Sequence, residues 1–138
     1  MKIKICSRKT VERLLQGQFP ENTAVISFYD PYGKAPVNYS GKADNVLYVP
    51  LDDLQKELPE SEKIARFIND AKANGLNIIC QCESGQSRSA GCAAAILEHN
   101  CHMGQSVFDS DRYRPDEMVY YELLNALKTI SYVEAGKI

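Results

Sequence analysis

The sequence predicts an α/β fold, a mainly parallel sheet flanked by helices, organised as a single domain over residues 1–138. Three observations carry this expectation. Short apolar or alternating runs at Lys2 to Ile5, Thr23 to Phe28, Asn45 to Leu51 and Leu76 to Cys80 have the length and composition of strands. Other segments repeat apolar residues at i, i+3, i+4 and i+7, the spacing that gathers one face of a helix. The two kinds of segment alternate with no linker, repeat or low-complexity tract, an order that favours parallel strands joined by right-handed crossovers.

Each element has its own justification. Lys2 to Ile5 alternates with period two, and Ser7 is placed to cap a helix that carries Val11, Leu14 and Leu15 on one side. The runs at Thr23 to Phe28 and Asn45 to Leu51 are separated by Asp30-Pro31-Tyr32-Gly33-Lys34-Ala35-Pro36, whose prolines and glycine mark a loop. Ile64, Phe67, Ile68 and Ala71 define the next helix, which ends at Asn74-Gly75, where glycine supplies a left-handed cap. Leu76 to Cys80 reads as a short continuous apolar strand suited to a sheet centre. After a glycine-containing loop, Ser89 to Leu97 is rich in small residues suited to a closely packed helix. A short helical segment at Gln105 to Phe108 precedes a last helix with Tyr120, Leu123, Leu124 and Leu127 on one stripe.

Composition bounds the function. A chain of 138 residues with a formal net charge of −2 lacks the basic balance of a general phosphate-backbone binder, so no nucleic-acid partner is expected. The longest mostly apolar uncharged stretch, Ala90 to Leu97, falls far short of the roughly 20 residues that span a bilayer, so no membrane association is expected. The N-terminus alternates charged and apolar residues in place of an apolar signal segment, and five cysteines is an odd number. Both point to a reducing, cytoplasmic setting with free thiols.

The chemistry concentrates in Cys82-Glu83-Ser84-Gly85-Gln86-Ser87-Arg88-Ser89, between a predicted strand and a predicted helix. A thiolate is stabilised at a helix mouth by unpaired backbone N–H groups, and the same groups form a nest for an oxyanion. Glu83, Ser84, Gly85, Gln86 and Ser87 would supply that nest, with Gly85 allowing a turn that a side chain obstructs. Arg88 adds a planar fork for two phosphate oxygens. A tetrahedral dianion would then lie with phosphorus in line with the Cys82 sulfur, the arrangement of nucleophilic phosphoryl transfer. A phosphate ester also needs its leaving oxygen protonated, which calls for a general acid on a neighbouring loop.

This stretch resembles the signature loop of the cysteine-dependent protein tyrosine phosphatases, in particular the small dual-specificity branch, whose pattern is Cys, five residues, Arg, then Ser or Thr. Cys82, Gly85, Ser87, Arg88 and Ser89 match it. The likeness extends through Ser7-Arg8-Lys9, Ile26 to Pro31, Leu51-Asp52-Asp53 and Arg114-Pro115-Asp116, which is most of the chain, and is greatest to short predicted phosphatases of bacteria and phages. The resemblance implies a phosphocysteine mechanism without metal or organic cofactor. It gives Cys82 as nucleophile, Arg88 and the loop as phosphate ligands, Asp53 or, one residue away, Asp52 as general acid, and Ser89 as the hydroxyl that stabilises the leaving sulfur. It also implies phosphorylated proteins or small phosphoesters as substrates, and phosphate or vanadate as competing anions.

One position departs from the pattern. The family usually has histidine before the nucleophile and this chain has Gln81, which predicts a less strongly activated thiolate, or a phosphatase-fold module that only binds phosphorylated partners. A rhodanese-like sulfurtransferase, which also presents a loop cysteine, is the more distant alternative. Cys80 and Cys92 read first as small buried residues, and the resemblance adds a reversible disulfide with Cys82. His99, Cys101 and His102 cluster without a recognisable fourth ligand and are read as a helix-end turn. Arg112 and Arg114 are read equally as solvated surface or as a bias on substrate charge.

Overall fold

A computed structural model describes residues 1–136, with side chains through residue 131. Among the described residues the order is β1 (Ile3–Ser7), α1 (Arg8–Gln16), β2 (Thr23–Tyr29), β3 (Asn45–Pro50), α2 (Ser61–Ala73), β4 (Asn77–Cys82), α3 (Arg88–Cys101), α4 (Gln105–Phe108) and α5 (Glu117–Gly136). The strands form one sheet in the order β1-β4-β2-β3, with every neighbouring pair parallel. The predicted α/β architecture is the one observed.

Topology explains which helix covers which face. The chain moves one way across the sheet from β1 to β2 and back from β3 to β4, so crossovers of one hand put α1 and α2 on opposite sides. Accordingly Ala24, Ile26 and Phe28 of β2 and Ile78 and Cys80 of β4 pack in a core with α2, α3 and α5. The alternate residues Val25 and Ile79 pack with Cys6, Val11, Phe19, Val37 and Tyr39 on the α1 side. β2 and β4 lie inside the sheet and are covered on both faces, which is why they read as continuous apolar runs.

Local signals hold where the sequence placed them. The Ser7 hydroxyl accepts from the Thr10 amide at 3.1 Å and caps α1. Gly75 follows α2 at φ 69°, in the left-handed region. On α5 the buried stripe is Val119, Leu123, Leu124, Leu127 and Ile130, while Tyr120 lies half-buried at its flank with its ring edge-on to Phe108 at 4.9 Å. One strand runs further than its apolar pattern. β4 continues beyond Cys80 to Cys82 because β1 pairs with it up to Ser7 beside Cys82, and Gln81 is sheltered by partners from other elements.

Candidate active site

Parallel strands point their carboxyl ends to one edge of the sheet, where the loops that follow them gather. Cys82 is the last residue of β4, an interior strand, and is 3% exposed. The chain then turns through residues 83–87 and enters α3 at Arg88. Gly85 is indispensable to that turn. It has φ +70°, and a Cβ there would lie 2.6 Å from the Ser7 nitrogen and 2.9 Å from the Cys6 carbonyl carbon. The loop is thus pressed against the junction of β1 and α1.

Backbone bonds hold the loop from both flanks. The Glu83 carbonyl accepts from the Arg8 amide at 3.2 Å, and the Gln86 and Ser87 carbonyls accept from the Arg114 and Asp116 amides at 2.9 and 3.0 Å. The Ser87 carbonyl also accepts from Gly91 at 2.8 Å. With these carbonyls engaged elsewhere, the amides of Ser84, Gly85 and Ser87 donate to no acceptor among the described residues, while the Gln86 amide donates to the Ser84 hydroxyl at 3.3 Å. The first amides of α3 add the positive end of a helix dipole. The arrangement can receive an anion with little rearrangement.

Side chains complete it. The Cys82 sulfur lies 3.0 Å from the Ser89 hydroxyl, and Ser89 is fully buried in the first turn of α3. The Arg88 side chain is only 14% exposed, and its guanidinium is held by the Asp53 carboxylate, which is 88% exposed on the loop after β3. Asp52 is engaged differently. Its carboxylate accepts from the Leu54 amide at 2.8 Å, and its own amide donates to Gln55 Oε1 at 2.9 Å. Downstream, the Leu58 amide donates to Glu122 of α5 at 2.8 Å, which anchors this loop to the helix layer. A cleft of about 450 Å³ opens over these groups, lined by Cys82, Glu83, Ser84, Ser87, Arg88, Asp52 and Asp53 among others. Gly85 and Gln86 shape the loop from behind and do not line it.

Gln81 faces away from Cys82, as strand alternation requires. It is 2% exposed, and its Oε1 accepts from the Ser27 hydroxyl and, at 2.9 Å, from the Tyr39 hydroxyl. Burial pushes the Tyr39 phenol well above its ordinary value, so it stays a donor. Across the strand, Cys80 lies against Cys92 with sulfurs 3.6 Å apart and both buried, and this contact, followed by burial, pushes the Cys80 thiol up.

Other residues singled out from the sequence lie elsewhere. His99 contacts the Ser131 hydroxyl at 3.1 Å, Cys101 donates to the Leu97 carbonyl at 3.3 Å, and His102 ends α3 in the left-handed region at φ 59°. Arg112 lies over the Tyr113 ring at 5.7 Å, and neither it nor Arg114 lines the cleft. Arg8, Lys34 and Asp116 do line it, and none was singled out as a site residue from the sequence. Arg8 was legible only as a helix start, and its approach to the cleft depends on β1 lying beside β4.

No protein-family model matches the sequence, and no curated protein matches it either. Solved structures do. PTPMT1 in complex with PI(5)P aligns with TM-score 0.64 at 15% identity, over 96% of this chain and 94% of that one. DUSP15 aligns with TM-score 0.67 at 17% identity, over 96% and 90%. Human DUSP28 aligns with TM-score 0.60 at 17% identity, over 94% of each chain. The chain therefore has the fold of the cysteine-dependent dual-specificity and tyrosine phosphatases.

Proposed function

We propose that the protein is a phosphate-monoester hydrolase of the protein tyrosine or dual-specificity phosphatase type, acting through a phosphocysteine on Cys82. The observation that carries this reading is one loop with unpaired amides, whose partly buried Arg88 and Cys82 sulfur line the same cleft, with Ser89 at 3.0 Å from that sulfur. In the first step the Cys82 thiolate attacks phosphorus, forming the S–P bond as the ester P–O bond breaks. Arg88 and the loop amides hold the equatorial oxygens, and Asp53 gives its proton to the leaving oxygen. In the second step the Asp53 carboxylate takes a proton from water as it attacks phosphorus, and sulfur leaves as a thiolate stabilised by the Ser89 hydroxyl.

Asp53 is the preferred acid because its exposed carboxylate reaches Arg88, where a phosphate would displace it, whereas the Asp52 carboxylate is committed to its own turn. The expected substrates are phosphorylated proteins or small phosphoesters, with phosphate and vanadate as competing anions. The solved PTPMT1 complex with PI(5)P supports a phosphorylated ligand. Five unpaired cysteines fit a reducing compartment such as the cytoplasm. No helix among the described residues is long and apolar enough to cross a membrane.

The test is hydrolysis of p-nitrophenyl phosphate by purified protein. Vanadate-sensitive turnover is expected, and Cys82→Ser should lower it by several orders of magnitude, as removal of a covalent nucleophile does, with the far-UV spectrum unchanged. Full activity in that variant would overturn the mechanism. Phosphate binding without turnover would instead identify a binding module, and thiosulfate-dependent cyanide consumption a sulfurtransferase.

A further inference from the structure

Charge in the cleft is unevenly assigned. Five carboxylates line it, from Asp30, Asp52, Asp53, Glu83 and Asp116, against three cations, Arg8, Lys34 and Arg88. Arg88 belongs to the transferring phosphate in the reading above. The other two cations converge on one residue of the loop itself: Arg8 Nη1 lies 3.7 Å and Lys34 Nζ 3.8 Å from opposite oxygens of Glu83, the residue directly after the nucleophile. Arg8 is further committed to Glu12 at 3.6 Å and to the Ala35 carbonyl at 2.8 Å. A second anionic group on a substrate would therefore find no unpaired cation in this cleft among the described residues, and would meet the Glu83 carboxylate.

We infer that Glu83 is a specificity residue that restricts the cleft to a single phosphate on an otherwise uncharged or basic molecule and discriminates against substrates carrying a second phosphate nearby. The inference rests on the phosphatase reading and deepens it. Glu83 acts in two ways, by repelling a second anion and by occupying Arg8 and Lys34, which would otherwise receive one. Its side chain is 62% exposed, so replacing it removes charge without opening the core.

The test is calorimetric binding of inorganic phosphate and of methylenediphosphonate, a non-hydrolysable second-phosphate probe, to the wild-type protein and to Glu83→Gln. The variant should gain affinity for diphosphonate relative to phosphate by about fivefold, the size expected when exposed charges are re-partnered. Lys34→Ala in the Glu83→Gln background should return the ratio toward the wild-type value; Lys34 is 77% exposed, so the fold tolerates the change. An unchanged ratio with intact phosphate binding overturns the role of Glu83 alone. Failure of the wild-type protein to bind phosphate overturns both this role and the phosphatase reading.

Discussion

At the scale of single residues, the site depends on which groups are committed and which are left free. Asp52 and Asp53 are adjacent and chemically identical, yet one caps a backbone amide and the other lies on Arg88, the arginine of the cleft. Asp53→Asn is expected to lower kcat about 10²- to 10³-fold on an alkyl phosphate and much less on p-nitrophenyl phosphate, whose leaving group needs no proton. Asp52→Asn should stay within about threefold on both, and steady-state kinetics on the two esters separates the roles. Gly85→Ala tests the loop itself. Its positive φ and the 2.6 Å approach to the Ser7 nitrogen leave no room for a methyl group, so the loop must shift. A stability loss of about 1–3 kcal/mol by urea denaturation and a weakened inhibition by phosphate are the expected results.

At the scale of elements, β4 is the device that holds Cys82, the proposed nucleophile. Its carboxyl end is fixed by ladders to β1 and β2 and by Gln81, whose carbonyl oxygen gathers the Ser27 and Tyr39 hydroxyls behind the strand. Gln81 thus belongs to the scaffold of β4, on the face opposite the sulfur. Gln81→Leu should leave two buried hydroxyls without their acceptor and cost about 1–3 kcal/mol for such a group, measured by chemical denaturation. The strand assignment was legible only to Cys80, because Gln81 interrupts the apolar run. Its partners, Ser27 and Tyr39, are distant in sequence and nothing in the spacing pairs them.

At the scale of the whole molecule, stability should depend on alkaline pH through groups held neutral in the core. Burial pushes the Cys6 thiol and the Tyr39 phenol up, and the Cys92 contact together with burial does the same for Cys80. Each is an acid whose folded value lies above its unfolded one, so it contributes fully below the ordinary thiol value of 9.0 and the phenol value of 10.0. That contribution is lost as pH rises above them. Thermal midpoints should be level between pH 7 and about 8.5 and fall between 9 and 10.5; a level profile across that upper range would contradict the burial of these groups.

The sequence by itself determined the α/β class, most of the strands and helices, the Ser7 cap and the loop from Cys82 to Ser89, because periodicity, capping and turn chemistry are local. The family resemblance, not local pattern, singled out Asp52 and Asp53 on the loop after β3 as the candidate acids. Only the tertiary structure decided which aspartate meets Arg88, why Gln81 is buried, and that Arg8 and Lys34 close on Glu83. Those facts depend on strand order: the placement of β4 between β1 and β2 brings residues far apart in the chain to one edge of the sheet. Local patterns do not encode such pairing, because contacts between distant segments are selected by packing of the complete core.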